Sequence, residues 1–190
     1  MQPEFSIQMP EWCKERFTQS QRYFPAAEDR ISFAIELSRE NVKRGTGGPF
    51  GAAVFHSDGK LIALGINLVE TGNCSILHAE MVAIALAQQT LGRYDLSSGG
   101  KESCELVSSC EPCAMCFGAI PWSGVKKLMC AARDEDARGI GFDEGPKLPD
   151  WQVALEQRDI QVFRDVMREQ AVEVLNLYAK TGGTIYSPSS

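Results

Sequence analysis

Hydrophobic positions follow helical and extended patterns in turn along the first half of the chain. Residues 26–44 place apolar side chains at every third or fourth position, which is typical of an amphipathic helix, and Gly45 follows as a stop signal. Residues 50–55 and 61–68 are apolar runs separated by the turn sequence Ser-Asp-Gly-Lys, which predicts a β-hairpin. The stretch 78–91, rich in Ala, Leu and Met, predicts a second helix.

The same alternation continues to the end of the chain. Short apolar runs predict three further strands at 104–108, 125–131 and 160–163. Helices are predicted at 112–120, 151–157 and 164–179, with a helical turn at 134–138. Strands that alternate with helices are typical of an α/β protein, a three-layer α/β/α sandwich with a mixed sheet.

Residues 1–25 lack this periodicity, and prolines interrupt them at positions 3, 10 and 25. Scattered aromatic side chains suit an arm that docks on its own domain or on a neighbouring subunit, while a loosely ordered tail is an equally open interpretation. The chain therefore divides into an N-terminal arm, 1–25, and one folded domain, 26–190, that ends in a helix and a tail.

Composition narrows the class of protein. The 190 residues are 44% hydrophobic and 23% charged, with a net charge of −6, which is ordinary for a globular protein. Seven cysteines without a recognisable secretory signal favour a reducing cytoplasm, where cysteines bind metals or are buried. The acidic balance and the short, separated basic groups argue against a nucleic-acid partner, and no apolar run predicts a membrane segment.

Two short stretches carry metal-binding chemistry: His78-Ala-Glu80 and Pro112-Cys113-Ala-Met-Cys116. Imidazole and thiolate ligands together favour zinc. If Pro112 begins a helix, Cys113 and Cys116 share one face near its N-terminus, where free N–H groups favour thiolates. Three protein ligands leave one zinc position for water, and Glu80 lies off the helix face of His78, where it could carry protons.

Three other interpretations of the cysteines are open. A Cys-x-x-Cys pair can be redox-active, although that leaves the His-x-Glu stretch unexplained. Cys110 could complete a closed Cys₃His structural site in a module that binds a partner protein. An iron–sulfur cluster fits less well, because Ile120 stands where a fourth cysteine is needed.

The His-x-Glu stretch followed by Pro-Cys-x-x-Cys resembles the zinc-dependent cytidine deaminase superfamily. The sequences at 48–52 (GPFGA), 65–67 (GIN), 109–125 and 141–144 (GFDE) are similar to its guanine deaminase branch. This resemblance implies a cytidine deaminase-like catalytic domain with a central five-stranded sheet and one zinc ion per subunit. It also implies a homodimer, in which C-terminal segments are often exchanged.

The resemblance also implies individual roles. His78, Cys113 and Cys116 would bind zinc, and Glu80 would be the catalytic proton shuttle.

In the base pocket that this resemblance implies, Asn67 would hydrogen-bond the purine. Glu144, a second catalytic residue, would also bind the substrate and face the edge that carries the amino group. Phe50 would form part of the pocket, and Tyr186 in the tail could close it.

Glu144 favours guanine as the substrate. Guanine presents N1–H and its 2-amino group side by side as donors, and an ionised carboxylate only accepts. From the residues alone, Asp143-Glu144 could simply end a surface loop, and the resemblance favours the substrate role. The expected activity is hydrolysis of guanine to xanthine and ammonia, in purine metabolism. Other amino-heterocycles or nucleosides (ammeline, guanosine, cytidine) are alternatives, and a tRNA adenosine deaminase or a structural zinc module fits less well.

Overall fold

A computed structural model describes residues 5–19, 23–97 and 103–186. Over these ranges the helices are α1 (Glu11–Gln19), α2 (Ala27–Lys43), α3 (Ala79–Leu91), α4 (Ala114–Ser123), α5 (Asp134–Gly139), α6 (Trp151–Glu156) and α7 (Arg168–Lys180). The strands are β1 (Gly51–His56), β2 (Leu61–Ile66), β3 (Cys104–Cys110), β4 (Lys127–Ala132) and β5 (Gln161–Phe163).

The five strands form one mixed sheet in the order β2-β1-β3-β4-β5. β1 runs antiparallel to both β2 and β3, whereas β3, β4 and β5 are parallel. Parallel neighbours need a crossover connection, and α4 supplies it between β3 and β4. The predicted mixed five-stranded sheet is confirmed.

Two apolar cores lie on opposite faces of this sheet, because successive side chains of a strand point to opposite faces. Ala53 and Phe55 of β1 pack in the core that contains α2 and α7. Their neighbours Ala52 and Val54 pack in the core that contains α3, α4 and α6. The architecture is therefore the predicted three-layer sandwich.

Gly65 of β2 determines how closely α3 approaches the sheet. A Cβ atom at this position would lie 2.2 Å from the carbonyl oxygen of Ala79 and 2.5 Å from the amide nitrogen of Ala83. Only a residue without a side chain allows the first turns of α3 to lie directly on the strand. This contact places His78 and Glu80, at the start of α3, beside the sheet.

Three segments differ from the prediction. Residues 11–19, expected to be irregular, form α1, which buries Trp12 and Cys13 against the domain. The helix α4 begins at Ala114, so Pro112 lies before it and Cys113 is its N-cap. The helix α7 begins only at Arg168.

The late start of α7 has a backbone cause. Asp165 and Met167 have positive φ angles of 63° and 56°, and two left-handed residues are incompatible with a right-handed helix. Within the described ranges, every helix is too short or too polar to cross a bilayer.

Candidate metal centre and active site

Two helix N-termini meet at the site. His78 is the N-cap of α3, and Cys113 is the N-cap of α4, each with an extended backbone. Neither side chain caps its own helix by a hydrogen bond, so the imidazole and the thiol point elsewhere. Cys116 lies one turn further along α4 and is buried.

The donor atoms of these three residues converge. The Nδ1 atom of His78 lies 3.5 Å from the Sγ atom of Cys113, and the ligand atoms of His78, Cys113 and Cys116 all lie within 4.8 Å of one another. A nitrogen and a sulfur bound to one tetrahedral zinc ion are about 3.6 Å apart, given their usual bond lengths. The spacing and the chemistry of the donor set therefore fit one zinc ion.

The contact between the two cysteines favours the thiolate form of Cys113 before zinc binds. The hydrogen bond from Cys116 lowers the pKa of Cys113 to about 4, and His78 adds to this effect against the opposing influence of burial. The same bond raises the pKa of Cys116. Burial alone would lower the pKa of His78, but the hydrogen bond and charge of Cys113 raise it, with smaller contributions from Glu80 and Glu144.

Glu80 lies beside this donor set without joining it. Its side chain is in the first turn of α3, only 6% of the residue is exposed, and its Oε2 accepts a hydrogen bond of 3.6 Å from the thiol of Cys116. Burial raises the pKa of Glu80 to about 6, and the charge of Cys113 contributes to the rise. Its carboxyl group therefore faces the site and not bulk solvent, with a pKa close to neutrality.

Cys110 has a different environment. It is the last residue of β3, and its thiol donates to the carbonyl oxygen of Arg133 at 3.6 Å. Among the described residues, the group that converges on a possible metal position does not include Cys110. The structure therefore does not form the closed Cys₃His site that the sequence left open.

Asn67 and Glu144, the two polar residues expected in the base pocket, are both buried. The Nδ2 atom of Asn67 donates to the hydroxyl of Tyr186 at 2.6 Å, and its Oδ1 accepts from the amide of Val69 at 3.3 Å. The backbone oxygen of Glu144 accepts from the amide of Ala114 at 2.9 Å, which attaches its loop to the start of α4.

Burial raises the pKa of Glu144 to about 8, and the charges of Cys113 and Glu80 contribute to the rise while Lys147 opposes it. The carboxyl group of Glu144 therefore shares one electrostatic environment with the donor set.

Three aromatic rings pack together beside the imidazole of His78. Phe50 packs edge-on against Phe142 with ring centroids 5.0 Å apart, and Tyr186 packs against the same ring at 5.4 Å. The ring of Tyr186 lies 6.3 Å from the imidazole of His78. Phe142 was not predicted as a site residue, although it stands in the GFDE stretch beside Glu144.

A buried ion-pair group behind the site was also missed. Lys147, whose side chain is only 7% exposed, pairs with Asp134 at 3.1 Å and Glu111 at 3.8 Å. Its Nζ atom also donates to the carbonyl oxygen of Pro112 at 2.9 Å. These contacts connect the loop of Glu144 to the residue that precedes Cys113. No local pattern could reveal them, because the partners lie far apart in the sequence.

Comparison with known proteins shows which family this chain resembles in sequence and structure. Residues 26–132 match the family model described as "Cytidine and deoxycytidylate deaminase zinc-binding region". The chain is 40% identical over 142 residues to a guanine deaminase of Bacillus subtilis, a match that spans 75% of this chain and 87% of that protein.

Solved structures agree with this result. The guanine deaminase from Nitrosomonas europaea superposes with a TM-score of 0.89 at 45% identity, over 95% of this chain and 98% of that one. A solved chain in complex with 2,6-diaminopurine superposes with the same TM-score of 0.89 at 45% identity, over 97% of each chain. The chain belongs to the zinc-binding cytidine and deoxycytidylate deaminase family, in its guanine deaminase branch.

Proposed function

We propose that this chain is a zinc-dependent hydrolase that converts guanine and water to xanthine and ammonia, with His78, Cys113 and Cys116 as the zinc ligands. The observation that carries the proposal is the position of Glu80. Its buried carboxyl group lies beside a three-residue donor set, and such a set leaves one coordination position of zinc free. The similarity to two guanine deaminases supports the choice of substrate.

Glu80 moves the protons of this reaction. When bound, zinc supplies a Lewis acid that lowers the pKa of a water molecule toward about 7. Glu80 takes a proton from the attacking water and gives it to N3 of guanine, the ring nitrogen beside C2 that carries no proton, while the water oxygen becomes bonded to C2. Glu80 then moves the remaining proton of that oxygen to the amino nitrogen, and the bond from C2 to this nitrogen breaks, which leaves xanthine and ammonia. Burial raises the pKa of Glu80 toward neutral pH, which suits a group that must both accept and donate a proton.

Glu144 and Asn67 orient the purine. The ionised carboxylate of Glu144 accepts from N1–H and from the 2-amino group of guanine, and these two donors favour the ionised form once the substrate is bound. Asn67 offers its amide group to the ring, and Phe50 forms an apolar wall with Phe142. Tyr186 closes the site through its bond to Asn67.

A panel of substrates tests this assignment. The zinc-loaded protein is incubated with guanine, guanosine, adenine, cytosine, cytidine and ammeline, and the release of ammonia is measured. We expect guanine to react fastest, because a ribose would collide with the closing tail at Tyr186. Equal turnover of nucleosides would contradict the closed pocket, and no ammonia from any compound would contradict the enzymatic assignment.

We also propose that the chain forms a homodimer in the cytoplasm. Trp122 of α4 is 86% exposed, and α4 contains no charged residue. Uncharged helix surfaces with an exposed Trp are typical of the centre of a protein interface.

The cysteines support the cytoplasmic part of this proposal. All seven lie in the described ranges without a disulfide bond, which suits a reducing compartment.

A further inference from the structure

A series of hydrogen bonds, half-buried at Thr46 and fully buried at Asn41, connects the N-terminal helix α1 to Asn67. The indole Nε1 of Trp12 donates to Oγ1 of Thr46 at 3.2 Å. Oγ1 of Thr46 donates in turn to Oδ1 of Asn41 at 2.6 Å. The Nδ2 atom of Asn41 then donates to two backbone oxygens, that of Asn67 at 2.9 Å and that of Gly48 at 2.8 Å.

The indole group fixes the direction of these bonds. An indole N–H can only donate, so Thr46 accepts from Trp12 and keeps its single hydroxyl proton for another partner. That proton points to Oδ1 of Asn41, which directs both amide protons of Asn41 to the carbonyl groups of Gly48 and Asn67. Asn41 is 0% exposed, so water cannot replace a lost partner.

Asn67 has little room to move against the loop that Asn41 holds. A Cβ atom on Gly47 would lie only 1.9 Å from the backbone oxygen of Asn67, and one on Gly48 would lie 3.2 Å from its Oδ1. The loop therefore touches both the main chain and the side chain of Asn67. A shift of the loop changes where the amide group of Asn67 points.

Helix α1 is itself fixed to the domain around Trp12. The guanidinium of Arg44 lies 5.5 Å from the centre of the indole ring, an arrangement that favours a cation–π contact. Arg16 of α1 forms an ion pair with Glu36 of α2. The indole N–H is therefore presented to Thr46 by a helix that is anchored on both sides.

We propose that Trp12, Thr46 and Asn41 are positioning residues, through which the N-terminal arm orients Asn67 for purine binding. The proposal rests on the proposed function in one respect, the role of Asn67 in holding the purine. None of the three residues touches the reacting atoms. Their effect is expected in the binding of guanine and not in the chemical step.

The variant Trp12→Phe tests the network, because it removes the N–H donor and keeps an aromatic ring in the same place. We expect the KM for guanine to rise by about three- to tenfold, which corresponds to the free energy of one or two weakened hydrogen bonds, with kcat within about twofold of the wild type.

Variants of Thr46 test the next bond of the series. Thr46→Val should have the same effect as Trp12→Phe, and Thr46→Ser, which keeps the hydroxyl, should retain the wild-type KM. The double variant should be no worse than Thr46→Val alone, because both changes break one series of bonds. Thr18→Val, at an exposed position of the same helix, is the control and should change nothing.

Amide hydrogen exchange gives a second readout that does not depend on activity. The amides of Phe50, Asn67 and Val69 form hydrogen bonds within or beside the loop. Their exchange should be about three- to tenfold faster in Trp12→Phe and Thr46→Val, in line with the loss of one or two hydrogen bonds.

Two results would count against the proposal. Unchanged exchange and unchanged KM in both variants would overturn it, and faster exchange with an unchanged KM would overturn the role in purine binding. If the wild type releases no ammonia from guanine, the proposed function fails separately, and the exchange result still decides whether the network orders Asn67.

Discussion

At the scale of single residues, burial changes the acidity of two carboxyl groups at the candidate site. Glu80 and Glu144 are each only 6% exposed, and burial raises the pKa of both. They differ in position, because Glu80 bonds to the thiol of Cys116 whereas Glu144 is held by its backbone at the start of α4. In the proposed mechanism, one of these carboxyl groups transfers protons and the other recognises the purine.

The raised pKa of Glu80 predicts how activity depends on pH. Glu80 must be ionised to accept a proton from water, so activity should be present above its pKa and should fall as the pH drops through it. Burial raises this pKa to about 6 and the positive charge of bound zinc lowers it, so the fall is expected below pH 6. The measurement is kcat at saturating guanine between pH 4 and 8, because kcat/KM would also report the ionisation of Glu144 in the free enzyme, and the zinc content is determined at each point so that metal loss is recognised. A flat kcat down to pH 4 with zinc retained would contradict this role of Glu80.

Local spacing made it possible to predict from the sequence which residues converge at the candidate site. His78 and Glu80 stand two residues apart, Cys113 and Cys116 three apart, and both pairs lie at helix starts that the sequence pattern marks. The residues that position them could not be found in this way. Asn41 bonds to a residue 26 positions away, so its role depends on the folded chain.

At the scale of helices and strands, hydrophobic periodicity predicted the five strands and the order of the layers, because each strand or helix buries one regular face. The prediction failed where side chains outside the periodic pattern decide the backbone. In α1, three consecutive charged residues separate the buried pair Trp12 and Cys13 from Phe17, which also packs on the core, and they conceal a short amphipathic helix. Before α7, the left-handed residues Asp165 and Met167 delay the helix, and nothing in their local sequence indicates a positive φ.

The hydrogen bond from Lys147 to Pro112, just before α4, predicts an effect on zinc affinity. Lys147→Met removes the bond to the carbonyl oxygen of Pro112, and it also removes the ammonium group that pairs with the half-buried carboxylate of Asp134. Since Pro112 precedes the ligand Cys113, we expect the protein to fold but to bind zinc about ten- to a hundredfold more weakly, the usual effect of losing a group that orients a ligand. Zinc affinity is measured by competition with a chelator, and Lys126→Met, at an exposed position, is the control. Equal affinities would show that Lys147 does not position Cys113.

At the scale of the whole molecule, the site is formed by segments from nearly the entire chain. Asn67 follows β2, the donor set joins α3 to α4, and Tyr186 lies close to the C-terminus. Trp12 of the N-terminal arm is connected to the backbone of Asn67 by hydrogen bonds through Thr46 and Asn41. An enzyme formed in this way should respond to changes at both ends of the chain.

The exposed face of α4 predicts the oligomeric state. Trp122→Glu introduces a charge at the centre of the proposed dimer face, where desolvation of an unpaired charge is costly. We expect a dimer in the wild type and a monomer in the variant, as measured by light scattering coupled to size-exclusion chromatography. Thr90→Glu, at an exposed position of α3, is a control that should remain dimeric, and a monomeric wild type would contradict the proposal.

The most direct test of the central claim compares Glu80→Gln with the wild type, both loaded with zinc. Gln keeps the size of the side chain but cannot carry a proton. We expect one zinc ion per chain in both proteins and a fall of about 10²- to 10⁴-fold in kcat for the release of ammonia from guanine, the usual contribution of a general acid–base group. Glu135→Gln, which changes an exposed carboxylate, should retain full activity. If Glu80→Gln keeps its zinc and deaminates guanine as fast as the wild type, then Glu80 is not the proton shuttle and the proposed mechanism is wrong.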